Sequence, residues 1–258
     1  MDIGAFQEMI LSFYSTEKRD LPWRRTTDPY KIIVSEVMLQ QTQVDRVIPY
    51  FDRWISKWPT FDDLAQAEKA EVLACWSGLG YNSRPIRLQK LAQVVSKMDS
   101  FPTDRDELLK LPGIGPYTAG AVLAFSFNLE VPCLDTNIRR VLIHELGLSE
   151  DISAKELEEV ALSCVPKGRS REWYNALMDY GAMVKTARKT GIKPISKQSK
   201  FEGSSRQIRG KVLRFLLAEK KANYDSLMKH VEDVRLDDVL KGMIKDGVVD
   251  EENGEFSL

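Results

Sequence analysis

Cysteine is almost missing from this chain: Cys75, Cys133 and Cys164 are the 3 cysteines in 258 residues, and they stand far apart. They give neither the even set of a disulfide framework nor the paired spacing of a zinc site, and a reducing compartment fits best. No apolar run approaches the ~20 residues needed to span a bilayer. The amino terminus, MDIGAFQEMILSFYSTEKRD, has acidic residues where a secretory leader would be basic, so a cytoplasmic location is expected. Strand-like alternation is nearly absent before residue 245, which points to an all-α fold. An excess of either charge is missing too. Lys plus Arg is 37 against 38 Asp plus Glu, and a net charge of -1 carries no global sign of a polyanionic partner.

What is present is a chain 43% hydrophobic and 29% charged, enough apolar matter for a sizeable core in one large or two modest domains. Helical periodicity starts at once with Phe6, Met9, Ile10 and Phe13. From Pro29 to Tyr50 the pattern reads as a helix whose apolar positions nearly surround Glu36. Its neighbours three and four places away are Ile32, Ile33, Leu39 and Gln40. A carboxylate buried there would take a proton, with a raised pKa, and serve as a general acid. The plainer alternative is a Glu36 at the edge of the stripe that reaches water.

Further helices are marked by their caps. FPTDRDELLKL opens one with Pro102 and a Thr103 cap, and Ser153 followed by Glu156 forms a capping-box pattern. Residues 1–190 are expected to form one helical domain, and 191–205 a polar, basic linker. Residues 206–258 would make a winged-helix-like module of three helices and a hairpin turning at Asn253-Gly254. Such modules bind DNA or protein, or simply stabilise a neighbour. Charge is unevenly spread: Lys185, Arg188, Lys189, Lys193, Lys197, Lys200, Arg206, Arg209, Lys211 and Arg214 follow one another with only Glu202 opposing them. That strip suits phosphates, or it is a solvated linker.

Two motifs carry chemistry. In LKLPGIGPYTAGAVLAF, Gly113 and Gly115 lie between a helix ending near Lys110 and one beginning near Tyr117. Glycine permits close backbone approach, and the amides at the second helix's start can hold a phosphate; a tight helix-to-helix turn has the same composition. In VPCLDTNIRRVLIHEL, Asp135 stands at a helix start. An Asp there is commonly just a cap, yet amides and dipole should also hold its carboxylate ionised. A protonated Glu36 and a charged Asp135 would be the acid and anion of a two-carboxylate glycosidic cleavage.

LPWR at 21–24, SEVMLQQTQV at 35–44, GLGY at 78–81, LPGIGPYTAG at 111–120, LDTN at 134–137 and MDYGAM at 178–183 occur together in order. Over about residues 1–185 the chain thereby resembles the helix-hairpin-helix DNA glycosylases, and most of all the adenine DNA glycosylase (MutY) family. The resemblance implies a monofunctional base-excision-repair enzyme that binds mispaired duplex DNA as a monomer at the nucleoid. It would flip an adenine opposite 8-oxoguanine or guanine and hydrolyse the N-glycosidic bond. It assigns Glu36 as the acid, Asp135 as the carboxylate facing the sugar, and Tyr117 and Asn137 as supports. Leu21, Trp23, Arg24 and Asn175 would line the base pocket, and Gln41 and Tyr81 would wedge the duplex. Gly113 and Gly115 would grip phosphate, with an alkali cation at the hairpin. Endonuclease III relatives carry a lysine where Tyr117 stands, and a phenol cannot form their Schiff base, so no lyase step is expected.

The chain departs from the family in several places. Relatives follow GAM with four cysteines that hold an iron–sulfur cluster, whereas here the chain runs VKTARKTGIKPISKQSK, with Lys185 at the first ligand position. Four thiolates are needed, so a clusterless protein without a metal cofactor is expected, and Lys185, Arg188 and Lys189 would take over phosphate contacts. The family's carboxy-terminal reader of 8-oxoguanine is replaced by the short tail, so modest discrimination, unchanged by removing the tail, is expected. Asn175 replaces a Glu or Gln, and Asn82 a tyrosine. Two alternatives stay open: a thymine or uracil glycosylase acting on mismatches with guanine, and a catalytically silent DNA-binding module.

Overall fold

The computed structural model describes residues 2–193 and 200–258, so Lys197 of the basic strip and the middle of the 191–205 linker lie outside the described residues. In chain order the elements are α1 (Ile3–Glu17), a 3-10 turn (Pro22–Arg25), α2 (Pro29–Leu39), α3 (Val44–Lys57), α4 (Phe61–Ala65), α5 (Lys69–Trp76) and α6 (Ser83–Val95). There follow α7 (Arg105–Leu109), α8 (Pro116–Phe127), α9 (Thr136–Leu146), α10 (Ala154–Ser163), α11 (Ser170–Met183) and α12 (Ala187–Thr190). The last part holds α13 (Ser205–Glu219), β1 (Lys221–Asn223), α14 (Tyr224–Val231), α15 (Leu236–Lys245), β2 (Asp250–Glu252) and β3 (Glu255–Ser257). Among the described residues the fold is all-α apart from these short strands.

Contacts divide the chain into two compact units, Met1–Glu36 with Pro102–Lys197, and Val37–Phe101 with Gln198–Leu258. This is a different cut from a boundary near residue 190. In the first unit α11 packs against α1, α8 and α9. Phe6 and Trp173 meet edge to face at 5.4 Å, an arrangement that suits the ring quadrupoles, and both are fully buried. The expected capping box is present, with Glu156 N donating to Ser153 Oγ at 3.2 Å and Ser153 N donating to Glu156 Oε2 at 3.1 Å. Before α7 the cap is Asp104 rather than Thr103: its Oδ1 accepts from Asp106 N and Glu107 N at 2.9 and 3.1 Å. A carboxylate is the stronger acceptor and also complements the helix dipole.

In the second unit the three tail helices enclose Ile208, Val212, Leu227, Leu240 and Met243, and this core continues into Leu73 of α5 and Ile86 of α6. The tail is therefore packed on the α5–α6 pair. Its hairpin turns at Asn253 and Gly254 with φ of 54° and 80°, the left-handed pair of a type I′ turn. A strand missed in the sequence, β1, completes an antiparallel sheet of order β1-β3-β2.

The stretch from Pro29 to Tyr50 is two helices, not one. α2 ends at Leu39 and α3 begins at Val44. Gln41, between them, has a left-handed φ of 57°. The break has a cause within this unit: the buried Arg84 donates through Nη1 to Val37 O at 2.6 Å and Gln40 O at 2.8 Å, taking carbonyls that a continuing helix would have used.

Candidate active site

Glu36 is only 6% exposed, so the edge-of-stripe alternative fails. Tyr117, in the first turn of α8, donates its phenol proton to Glu36 Oε2 at 2.5 Å. Burial lifts the Glu36 pKa from 4.5 to about 7, with the Asp135 charge adding to the rise and the Tyr117 hydrogen bond and Arg24 opposing it. Since Tyr117 occupies Oε2, the transferable proton belongs on Oε1. Burial and the neighbouring Glu36 push the Tyr117 phenol well above its ordinary value, so it stays a donor.

Asp135 caps α9 as expected. Its Oδ1 accepts from Ile138 N at 2.6 Å and its Oδ2 from Asn137 Nδ2 at 2.9 Å. Arginine can only donate, and Arg140 Nη2 reaches Asn137 Oδ1 at 2.6 Å, which fixes the Asn137 amide with its NH2 towards Asp135. Arg140 is held in turn by Gly181 O at 2.8 Å and Lys185 O at 2.5 Å. A side chain at position 181 would press on Asn137, its Cβ only 3.0 Å from that residue's Cβ, so the glycine of MDYGAM allows this approach of α11 to α9. One expectation is corrected: the amides do not pull Asp135 below its ordinary pKa. Burial raises it, outweighing the bonds from Ile138 and Asn137 and the charge of Arg140. Two donors and the charge of Arg140 favour the Asp135 carboxylate, against one donor on Glu36.

The 21–24 motif turns its arginine inward. Arg24 grips the fully buried Asp179 through both terminal nitrogens, at 2.7 and 2.8 Å, and Arg19 adds its Nε at 2.6 Å and its backbone N at 3.0 Å. Burial alone would raise the Asp179 pKa, but Arg24 and Arg19 overcome it and leave the carboxyl below its usual range. Arg24 thus has a fixed place near Glu36. Leu21 and Trp23 are buried beside it in sequence, and Asn175 spends its amide on Arg171 O at 2.9 Å.

In the hairpin Gly113 is exposed with φ of 78°, a backbone that favours glycine, while Gly115 is the extended N-cap residue of α8 and supplies no side-chain cap. Gln41 and Tyr81 belong to the second unit, where each holds a left-handed φ, 57° and 52°, and Tyr81 is exposed. Lys185 is not a free cation: its Nζ lies 3.0 Å from Glu145 Oε1, which also accepts from Tyr180 Oη at 3.3 Å. Arg188 and Lys189 are exposed. The segment after α11 does not fit an iron–sulfur cluster, since it offers no thiolate and its first ligand position is this ion pair. Among the described residues no group of His, Cys, Asp and Glu is arranged to hold a metal. No helix of the described residues is long and apolar enough to cross a membrane.

Sequence reasoning missed Arg19, Arg84, Arg140 and Asp179. Arg140 and Asp179 stood inside stretches read for another residue, Arg19 and Arg84 just outside the LPWR and GLGY motifs, and nothing in the sequence pairs them.

Residues 34–167 match the HhH-GPD superfamily of base excision DNA repair proteins. The chain belongs to this family. It is 38% identical to an adenine DNA glycosylase of Mycolicibacterium smegmatis over 96% of this chain and 94% of that protein. To the human adenine DNA glycosylase it is 41% identical over 72% of this chain but only 37% of the relative. Among solved structures it is similar to a thermostable thymine-DNA glycosylase, with TM-score 0.69 and 34% identity over 73% of this chain and 89% of that one. An endonuclease III–DNA complex, at 21% identity over 76% of this chain and 91% of that chain, shares the fold with TM-score 0.63.

Proposed function

We propose that the protein is a monofunctional DNA glycosylase that removes adenine mispaired with 8-oxoguanine or guanine. The observation that carries it is the buried Glu36, bonded to Tyr117 and kept protonated up to about pH 7, in the same unit as an Asp135 carboxylate held by Ile138 N and the Asn137 amide. The names of the relatives supply the base. Flipping adenine out of the duplex costs a few kcal/mol and delivers it to a dry pocket. As the C1′–N9 bond breaks, its electron pair goes to the base, and Glu36 Oε1 donates its proton to a ring nitrogen of the leaving adenine. The ionised Asp135 carboxylate stabilises the positive charge left on the sugar, or bonds to it transiently, until water adds at C1′ and leaves an abasic site. Tyr117 has no amine to attack the sugar, so the strand stays intact.

The hairpin glycines hold phosphate, with an alkali cation there, and the enzyme works as a monomer at the nucleoid. A second reading, removal of thymine opposite guanine, is favoured by the 34% identity and TM-score of 0.69 to the thymine-DNA glycosylase. Incubating the protein with A·8-oxoG, A·G, T·G and U·G duplexes and then adding alkali decides between them. Alkali-labile sites on the adenine strand are expected. Sites at thymine alone would replace the base assignment, and none anywhere would leave the silent DNA-binding module.

A further inference from the structure

A carboxylate in the last turn of a helix works against the macrodipole, yet Glu145 stands there, the last residue but one of α9, with a side chain only 8% exposed. It needs a cation. Lys185 supplies one from the turn after α11, its Nζ 3.0 Å from Glu145 Oε1, and Tyr180 Oη and His144 Nδ1 each lie 3.3 Å from the same oxygen. The backbone closes the ring: Lys185 N donates to Tyr180 O at 3.0 Å, so the lysine is held at its main chain and at its tip. Beyond it Thr186 caps α12, its Oγ1 accepting from Lys189 N at 3.4 Å, and Gly191 ends that helix at a left-handed φ of 75°. The turn thus has a structure of its own where the resemblance puts the first cluster cysteine, and that structure does not fit the cluster.

The ring also holds a carbonyl. Lys185 O accepts from Arg140 Nε at 2.5 Å, Arg140 Nη2 donates to Asn137 Oδ1 at 2.6 Å, and Asn137 Nδ2 donates to Asp135 Oδ2 at 2.9 Å. At a rise of 1.5 Å per residue, Glu145 and Asp135 stand about 15 Å apart along α9, too far for a direct bond. The bonds through Lys185 and Arg140 join them. Gly181 O holds Arg140 as well, at 2.8 Å, but at the same Nη2 that serves Asn137. A guanidinium is planar, so its contact at Nε is what sets the plane in which Nη2 meets Asn137.

We propose that Lys185 and Glu145 are positioning residues for Asp135: their ion pair holds the turn after α11 where the Lys185 carbonyl sets Arg140 and, through Asn137, the Asp135 carboxylate. Neither side chain touches substrate. When the pair is broken the Lys185 carbonyl is free to move, Arg140 loses its plane, and the Asn137 amide is free to turn its oxygen towards Asp135, where an acceptor would meet an acceptor. A misplaced reacting group lowers the rate of the chemical step and leaves the grip on the duplex unchanged.

This inference rests on the proposed glycosylase activity, and the experiment separates the two. Lys185→Met, Glu145→Gln, the double variant and Lys185→Arg are compared with the parent for duplex binding and for single-turnover excision by saturating protein, at a temperature where thermal unfolding shows each to be folded. Lys185→Met and Glu145→Gln should each lower the rate about tenfold, and the double variant no further than about twentyfold, because both break one pair. Affinity and its salt slope should not change, and Lys185→Arg, which keeps the cation, should return to within about threefold of the parent's rate. A merely structural pair would lower the unfolding temperature alone, so unchanged rates overturn the proposal. A loss of about a hundredfold in the double variant does the same, as does weaker binding with a flatter salt plot, which would make Lys185 a phosphate contact. Solvent exchange of the Arg140 Nε–H, followed by NMR on protein with isotope-labelled arginine, needs no activity and should quicken at least about tenfold in Lys185→Met. If the parent excises no base while that exchange follows Lys185, the glycosylase reading is wrong and the link to Arg140 stands; unchanged exchange overturns the link whatever the activity.

Discussion

Replacing Glu36 by glutamine removes the acid while keeping its shape and its ability to accept from Tyr117 Oη, so it separates catalysis from packing. Burial lifts the carboxyl from 4.5 to about 7. At 1.36 kcal/mol per pKa unit this corresponds to about 3 kcal/mol. The sign follows from which state holds the proton more tightly. The folded pKa lies above the unfolded one, so the contribution of Glu36 to stability is fully present below about pH 4.5. It is lost as pH rises to about 7. Above that the native protein keeps a carboxylate in an apolar site, and glutamine is neutral throughout. Glu36→Gln should therefore match the parent near pH 4.5 and become more stable through the window, reaching a gap of about 3 kcal/mol near pH 8, or roughly 6–12 °C in unfolding temperature. Single-turnover excision should fall at least ~100-fold in the variant. In the parent it should decline about tenfold per unit above about pH 7, as Glu36 loses its proton, and fall again at acid pH as Asp135 gains one. Thermal unfolding across pH 4.5–8.5, paired with single-turnover assays, checks both. A stability gap that does not change with pH would refute the buried-acid account, and near-normal excision would remove Glu36 from the chemistry.

Borohydride should trap no covalent protein–DNA adduct, and strands should break only after alkali; efficient trapping would show a lysine acting in place of Tyr117. Arg84→Met should destabilise by about 3 kcal/mol or more in denaturant unfolding, because the buried guanidinium, its pKa brought down to about 10, satisfies carbonyls of Val37, Met38, Gln40, Leu79 and Gly80. Asp179→Asn should cost a similar amount, about 3–5 kcal/mol, by stranding Arg24 and Arg19 without their carboxylate, and unfolding at neutral pH measures it. Neutralising the exposed Arg188 and Lys189 should flatten the plot of log affinity against log salt by roughly 0.9 for each phosphate left without its cation, whereas Lys185→Gln should leave the slope alone and lower stability by removing the bond to Glu145.

The sequence by itself determined whatever depends on neighbours a few places along the chain. The Ser153–Glu156 box, the cap at Asp135, the hairpin at Asn253-Gly254 and the apolar setting of Glu36 are local, because helix and turn geometry bring residues two to four apart together whatever the rest of the chain does. Those local features sufficed to single out Glu36 and Asp135, whereas Tyr117 entered through the family resemblance. Only the tertiary structure decided what lies across long separations. The helix read through residues 40–43 breaks because Arg84 takes its carbonyls; Arg24 faces Asp179 across the chain; Lys185 is spent on Glu145; Arg206 lands on Tyr81. The pKa of Asp135 shows the same division: its capping bonds were legible and would lower it, but the burial that outweighs them comes from the whole of the surrounding packing. Desolvation sums over every neighbour, and no stretch of sequence contains that sum.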